Sequence, residues 1–110
     1  MNSCDLTHKK CVPCEGGVPA LKGEDLKDLQ KQLKKNWQLI QEHELQSEYV
    51  FKDFKSALNF VNQVGELAER EGHHPDIYLS YGKVKIILFT HSIDGLSEND
   101  FIIAAKIDLM

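Results

Sequence analysis

A chain of 110 residues, 42% apolar and 27% charged, has the makings of one globular domain, long enough to bury a core and too short for two. Its formal net charge of −4 works against a general nucleic-acid binder, which needs a basic face for phosphates. No apolar run approaches the roughly 20 residues that cross a bilayer, and the start lacks a signal-peptide core, so the expectation is a cytoplasmic protein with no membrane partner.

Residues 1–20 carry Pro13, Gly16, Gly17 and Pro19 without periodicity and read as a flexible arm ahead of a domain over 21–110. All three cysteines, Cys4, Cys11 and Cys14, lie in this arm, and an odd number crowded into one tail is no disulfide framework. Cys11-Val12-Pro13-Cys14 has zinc-knuckle spacing, which Cys4 and His8 would complete to four ligands. No second Cys-x-x-Cys pair and no apolar mini-core accompany it, so no metal site is expected.

From Glu24 to Lys35, Leu26, Leu29 and Leu33 recur at i, i+3 and i+7, the stripe of a short amphipathic helix. Trp37 to Ile40 and Glu48 to Phe51 flank a polar stretch and read as a β-hairpin. Asp53 is placed as the N-cap of the longest helix, about Phe54 to Arg70. The apolar stripe of this helix reads Phe54, Ala57, Leu58, Val61, Val64 and Ala68, and Phe60 and Leu67 fall off it, which points to a subunit interface. Pro75 takes the chain out of helix. Ile77 to Tyr81 and Lys83 to Thr90 then form a second hairpin turning at Gly82, with Val84, Ile86 and Leu88 on one face. Ser97 followed by Asp100 resembles a capping box and opens a last helix through about Ile107. The order predicts an α+β fold, a four-stranded antiparallel sheet covered on one face by three helices. Its open edges and bare face make a homo-oligomer the expectation.

One segment concentrates chemistry: Glu69-Arg70-Glu71-Gly72-His73-His74-Pro75, followed by Tyr81, His91 and Asp100. Two histidines locked by a proline, with a third at the end of the next apolar strand, bring together the side chain best able to give and take protons near neutrality. Without that constellation a histidine is an ordinary surface or core residue, as His8 and His43 read here, and Tyr81 reads as a strand aromatic in the core. The capping box by itself would account for Asp100.

The spacing is Glu69, three residues, His73-His74-Pro75, five residues, Tyr81, nine residues, His91, eight residues, Asp100. It resembles the signature of the pterin-4a-carbinolamine dehydratases with no position missing, and the resemblance runs from about Leu21 to Asp108, including Phe51-Lys52-Asp53-Phe54 and Gly95-Leu96-Ser97. It implies a hydro-lyase that converts 4a-hydroxytetrahydropterin to quinonoid dihydropterin, recycling the pterin cofactor of aromatic amino-acid hydroxylases. The pterin is then the substrate, no cofactor is needed, and the family implies a homodimer or homotetramer functionally coupled to phenylalanine hydroxylase. His73 and His91 take direct proton transfer by resemblance, with His74 orienting the substrate or assisting as acid. Thr90 and the backbone at Gly72, Phe89 and Ser92 become the pterin-contacting walls. Pro75 sets the two histidines, Glu69 is a candidate contact to a histidine or to a pterin nitrogen, and Asp100 is counted among the substrate-binding positions. The same family also contains a dimerisation cofactor for a homeodomain transcription factor, so a protein-binding coactivator module is the alternative. A metal hydrolase on His73, His74 and His91 is disfavoured, because adjacent residues of an extended segment point opposite ways.

Overall fold

The computed structural model describes residues 6–8, 20–34 and 36–110. Its regular elements are α1 Glu24–Gln30, β1 Gln38–Ile40, β2 Glu44–Val50, α2 Phe54–Glu71, β3 Asp76–Ser80, β4 Lys83–Leu88 and α3 Glu98–Ile107, with single 3-10 turns at Leu6–His8 and His91–Ile93. The strands form one antiparallel sheet in the order β1-β2-β4-β3. This is the α+β sandwich the element order predicts.

Register sets the core. Leu45 stands opposite Leu88, Ser47 opposite Ile86 and Tyr49 opposite Val84, so alternate residues of the two central strands face inward together. The helices cover that face, and Leu45, Val84, Ile86 and Leu88 are fully buried beneath them. The other face carries Glu48, Lys83 and Lys85 beside the half-buried Ile87. Helix α3 is apolar on nearly every side, with Phe101 through Ala105 and Ile107 buried between α1, α2 and the Leu6–His8 turn. No helix among the described residues is long and apolar enough to cross a membrane.

Several sequence expectations are corrected. Helix α1 stops at Gln30, short of Lys35, as the chain turns so that the Lys34 amide can donate to Asp108 Oδ2 at 2.8 Å. The same carboxylate takes the Trp37 indole N–H on Oδ1 at 2.9 Å, which clamps the entry of β1 to the end of α3. Strand β2 begins four residues before the predicted Glu48, because Leu45, Ser47 and Tyr49 alternate inward and the polar residues between them face out. The hairpin turn is correspondingly tight, with Gln41 and Glu42 at φ 54° and 56°.

Phe60 and Leu67 are not surplus surface. Both are buried, and the true stripe of α2 is Ala57, Phe60, Val64, Leu67 and Ala68. The buried face is turned from the sequence reading toward Phe60 and Leu67, keeping Ala57, Val64 and Ala68, because the rings of Tyr49 and Phe51 receive Phe60 at 4.7 and 5.3 Å. Phe54 and Leu58 are left exposed instead. Tyr81 is also exposed, since it sits in the tight turn between β3 and β4 rather than within a strand. In the arm, Leu6 is buried against α3, so this part of residues 1–20 belongs to the core. The cysteine motif lies outside the described residues.

Candidate active site

The histidine segment begins where α2 ends. Asp53 caps the start of the helix by accepting the Ser56 amide at 2.8 Å, and Gly72 closes it in the left-handed region at φ 68°. Space around Gly72 is open, so the demand for glycine there is conformational. The Gly72 and His73 amides both donate to the Ala68 carbonyl. That closure turns the chain sharply, and Pro75 leads it directly into β3. Lys106 of α3 reaches the last residue of α2, Glu71, at 2.6 Å and ties the helix end down.

His73 Nε2 donates to Asp100 Oδ1 at 2.6 Å; the imidazole is 13% exposed and the carboxylate completely buried. Asp100 Oδ2 accepts the Thr90 hydroxyl at 2.8 Å and the Ser97 amide at 3.0 Å. Since Thr90 spends its proton on Asp100, the Ser97 hydroxyl donates to Thr90 Oγ1 at 2.8 Å. A buried carboxylate is costly unless its oxygens are satisfied, and here three donors from three segments converge on it. The capping box at α3 is present, yet it occupies one oxygen and leaves the other for His73. A carboxylate accepts, so His73 carries a proton on Nε2, and Nδ1 is the ring nitrogen left to exchange one.

His74 turns outward to Glu69 Oε2 at 2.6 Å, a surface pair with both partners more than half exposed. Glu69 therefore meets a histidine. His91 is exposed and opens the short 3-10 turn, whose end residue Asp94 has φ 51° and donates its amide to the His91 carbonyl at 3.2 Å. The loop is pinned by reciprocal backbone bonds between Thr90 and Gly95 at 2.7 and 3.3 Å. An added Cβ at Gly95 would lie 2.6 Å from the Ala20 side chain, so glycine is what lets residues 20–21 cross there. Leu21 then donates its amide to the Leu96 carbonyl at 2.8 Å.

The structure thus brings His73, Asp100 and Thr90 into one bonded group, with His91 next in the chain to Thr90. Phe89 is half-buried and stacks on His91 with ring centres 4.2 Å apart. Ser92 is exposed, and Tyr81 lies at the far end of β3 from the histidines. Sequence reasoning missed Ser97 as a member of the group, though its spacing to Asp100 was visible. It also passed over His43, whose ring lies 4.7 Å from that of Phe89 and whose Nε2 reaches Asp94 Oδ1 at 2.9 Å. Those two residues are 51 positions apart, and no local pattern links them.

A histidine backed by a buried, fully bonded carboxylate is a proton acceptor of fixed tautomer and orientation. The sequence profile described as Pterin 4 alpha carbinolamine dehydratase matches residues 19–110. The chain is 55% identical over 104 residues to a protein of Alkaliphilus metalliredigens that carries the provisional name pterin-4-alpha-carbinolamine dehydratase, covering 94% of each chain. A Rubrobacter xylanophilus protein with the same provisional name is 54% identical over 104 residues, covering 94% of this chain and 96% of its own. The crystal structure of a transcriptional coactivator/pterin dehydratase from Brucella melitensis superposes with a TM-score of 0.76 at 30% identity, over 82% of this chain and 96% of that one. The chain belongs to the pterin 4 alpha carbinolamine dehydratase family.

Proposed function

We propose that this protein dehydrates 4a-hydroxytetrahydropterin to the quinonoid dihydropterin by histidine acid–base catalysis, as a step in regenerating a pterin cofactor for aromatic amino-acid hydroxylases such as phenylalanine hydroxylase. The observation that carries the reading is the 2.6 Å bond from His73 to the buried Asp100 within a chain of this family.

In the reaction the bond from carbon 4a to its hydroxyl oxygen breaks, and the oxygen leaves as water once a proton has reached it. The proton on the neighbouring ring nitrogen goes to a base, and a carbon–nitrogen double bond forms. One proton is given and one is taken, so the protein's proton count is unchanged, exchange with solvent returns each histidine to its starting form, and the step needs no redox partner. His73 suits the base, because Asp100 stabilises the imidazolium that forms and holds Nδ1 outward. His91, on an exposed turn, suits the acid that protonates the hydroxyl, and His74 with Glu69 orients the pterin at the rim. Thr90, Phe89, Ser92 and the Gly72–Pro75 backbone form the walls. A base or acid so placed contributes about 10²–10⁴-fold each.

The test is turnover of the carbinolamine by His73→Ala and His91→Ala. Each is expected to slow dehydration at least about tenfold while the fold survives, His73→Ala with a lowered melting temperature because the buried Asp100 Oδ1 loses its donor. Near-normal turnover by either folded variant removes that residue from the mechanism.

A further inference from the structure

His43 ends the β1–β2 turn, with its amide bonded to the Ile40 carbonyl at 2.8 Å. Its side chain makes three contacts. Nε2 meets Asp94 Oδ1 at 2.9 Å, Nδ1 meets Glu44 Oε1 at 3.2 Å, and the ring lies 4.7 Å from Phe89 at a tilt of 37°. Two carboxylates accept from both ring nitrogens at once only if both nitrogens bear protons, so this geometry is that of the imidazolium. Its pKa is raised, foremost by the Asp94 hydrogen bond, with burial opposing and Glu44 adding.

Both outer contacts lead to His91 by separate routes. Phe89, touched by His43, touches His91 in turn with ring centres 4.2 Å apart. Asp94, held by His43 through its carboxylate, donates its amide to the His91 carbonyl. One route fixes the His91 ring and the other its backbone. They close a circuit around an exposed turn whose base is already pinned by the Thr90–Gly95 backbone bonds, and Asp94 stays in a left-handed conformation at φ 51° while it does so.

We propose that His43 is a positioning residue for the dehydration, acting through His91 by clamping Phe89 against the ring and Asp94 against the turn. The proposal rests on the dehydratase reading for its kinetic consequence. Misplacement of one proton donor by a fraction of its reach lowers kcat more than KM, because the loss falls in the transition state. The clamp is complete while His43 is charged. As pH rises through its raised pKa the charge is lost, the bond to Asp94 is no longer charge-assisted, and the hold on the turn weakens; Glu44 and Asp94 are the charged groups facing it and His91 is the titratable group beyond Phe89.

The experiment is a double-mutant cycle with His43→Ala made both with His91 present and in the His91→Ala background, alongside NMR of the His91 imidazole. With His91 present, kcat is expected to drop about tenfold with KM within about twofold. Without His91, the same change is expected to alter the residual rate by less than about twofold. The His91 ring resonances are expected to shift or broaden in His43→Ala, and the fall of kcat across the His43 titration to be absent in His43→Gln, which has no charge to lose. Equal losses in both backgrounds, or no loss in an active protein, overturn the proposal. If the unaltered protein does not dehydrate the carbinolamine, the function reading falls alone, and unchanged His91 resonances in His43→Ala then overturn the positioning claim by themselves. Should His43→Ala fail to fold, Asp94→Gly removes the acceptor of the same circuit at a φ that glycine adopts and carries the same expectations.

Discussion

Asp100 and His73 lie 27 positions apart in the chain and 2.6 Å apart in the fold, joined through one carboxylate oxygen while the other holds the cap of α3 and the Thr90 hydroxyl. The residue that completes the capping box of the last helix is the residue that orients the first histidine. Helix capping and histidine placement are therefore coupled, and a shift of α3 moves His73.

Asp100→Asn separates the two roles. The amide oxygen still serves the cap, but the NH₂ group then faces His73 Nε2 and drives the ring to the other tautomer, with the proton on Nδ1. Dehydration is expected to fall by about 10²-fold, with a loss of stability of about 1 kcal/mol or less. Rate measurement beside thermal unfolding checks this, and a rate within twofold of normal would show that the bond has no catalytic part.

Leu6 is 2% exposed against α3, so Leu6→Ala is expected to destabilise the protein by about 2–4 kcal/mol. Removal of the chain ahead of residue 20 carries the same loss. Turnover per folded molecule is expected to stay within twofold of normal, because no residue of the histidine group lies there. Urea unfolding and active-site-normalised rates report the two quantities separately.

Tyr49 makes stability fall at high pH. Burial pushes its phenol up to about 12, the Asp108 charge adds, and Ser47 opposes. Between the unfolded value near 10 and the folded value, the unfolded chain has released the proton and the folded one retains it, so ionisation favours unfolding. Stability is expected to decline as pH rises from about 10 to about 12, and Tyr49→Phe to flatten that limb. Unfolding midpoints across that range decide it; an unchanged slope in Tyr49→Phe places the cause elsewhere.

Phe54 and Leu58 are 44% and 37% exposed on one face of α2, with the half-buried Val61 completing an i, i+4, i+7 row. Together with the sheet edges at β1 and β3 they favour a homo-oligomer, a dimer or tetramer. Sedimentation equilibrium at micromolar concentration is expected to show a species above 12.5 kDa, and Phe54→Ser with Leu58→Ser to shift it toward the monomer. A monomer in the unaltered protein would end the idea.

The sequence by itself determined the element order, the caps at Asp53 and Ser97, the turn at Gly82 and the break at Pro75, because each depends on a few adjacent residues and one backbone preference. It also exposed the histidine constellation, whose spacing is local enough to match a family. The extent of β2 was misread because a strand buried on one face looks polar in half its positions. The facing of α2 was misread at Phe60 and Leu67, since which apolar stripe turns inward depends on the Tyr49 and Phe51 rings waiting on the sheet. What only the tertiary structure decided is the support of the site: that Asp100 reaches His73, that Thr90 and Ser97 complete its bonding, and that His43 meets Asp94 and Phe89. The contacts of His73 with Asp100 and of His43 with Asp94 and Phe89 join residues far apart in the chain, and pairings of that kind are fixed by strand register and helix packing rather than by any preference written at either residue.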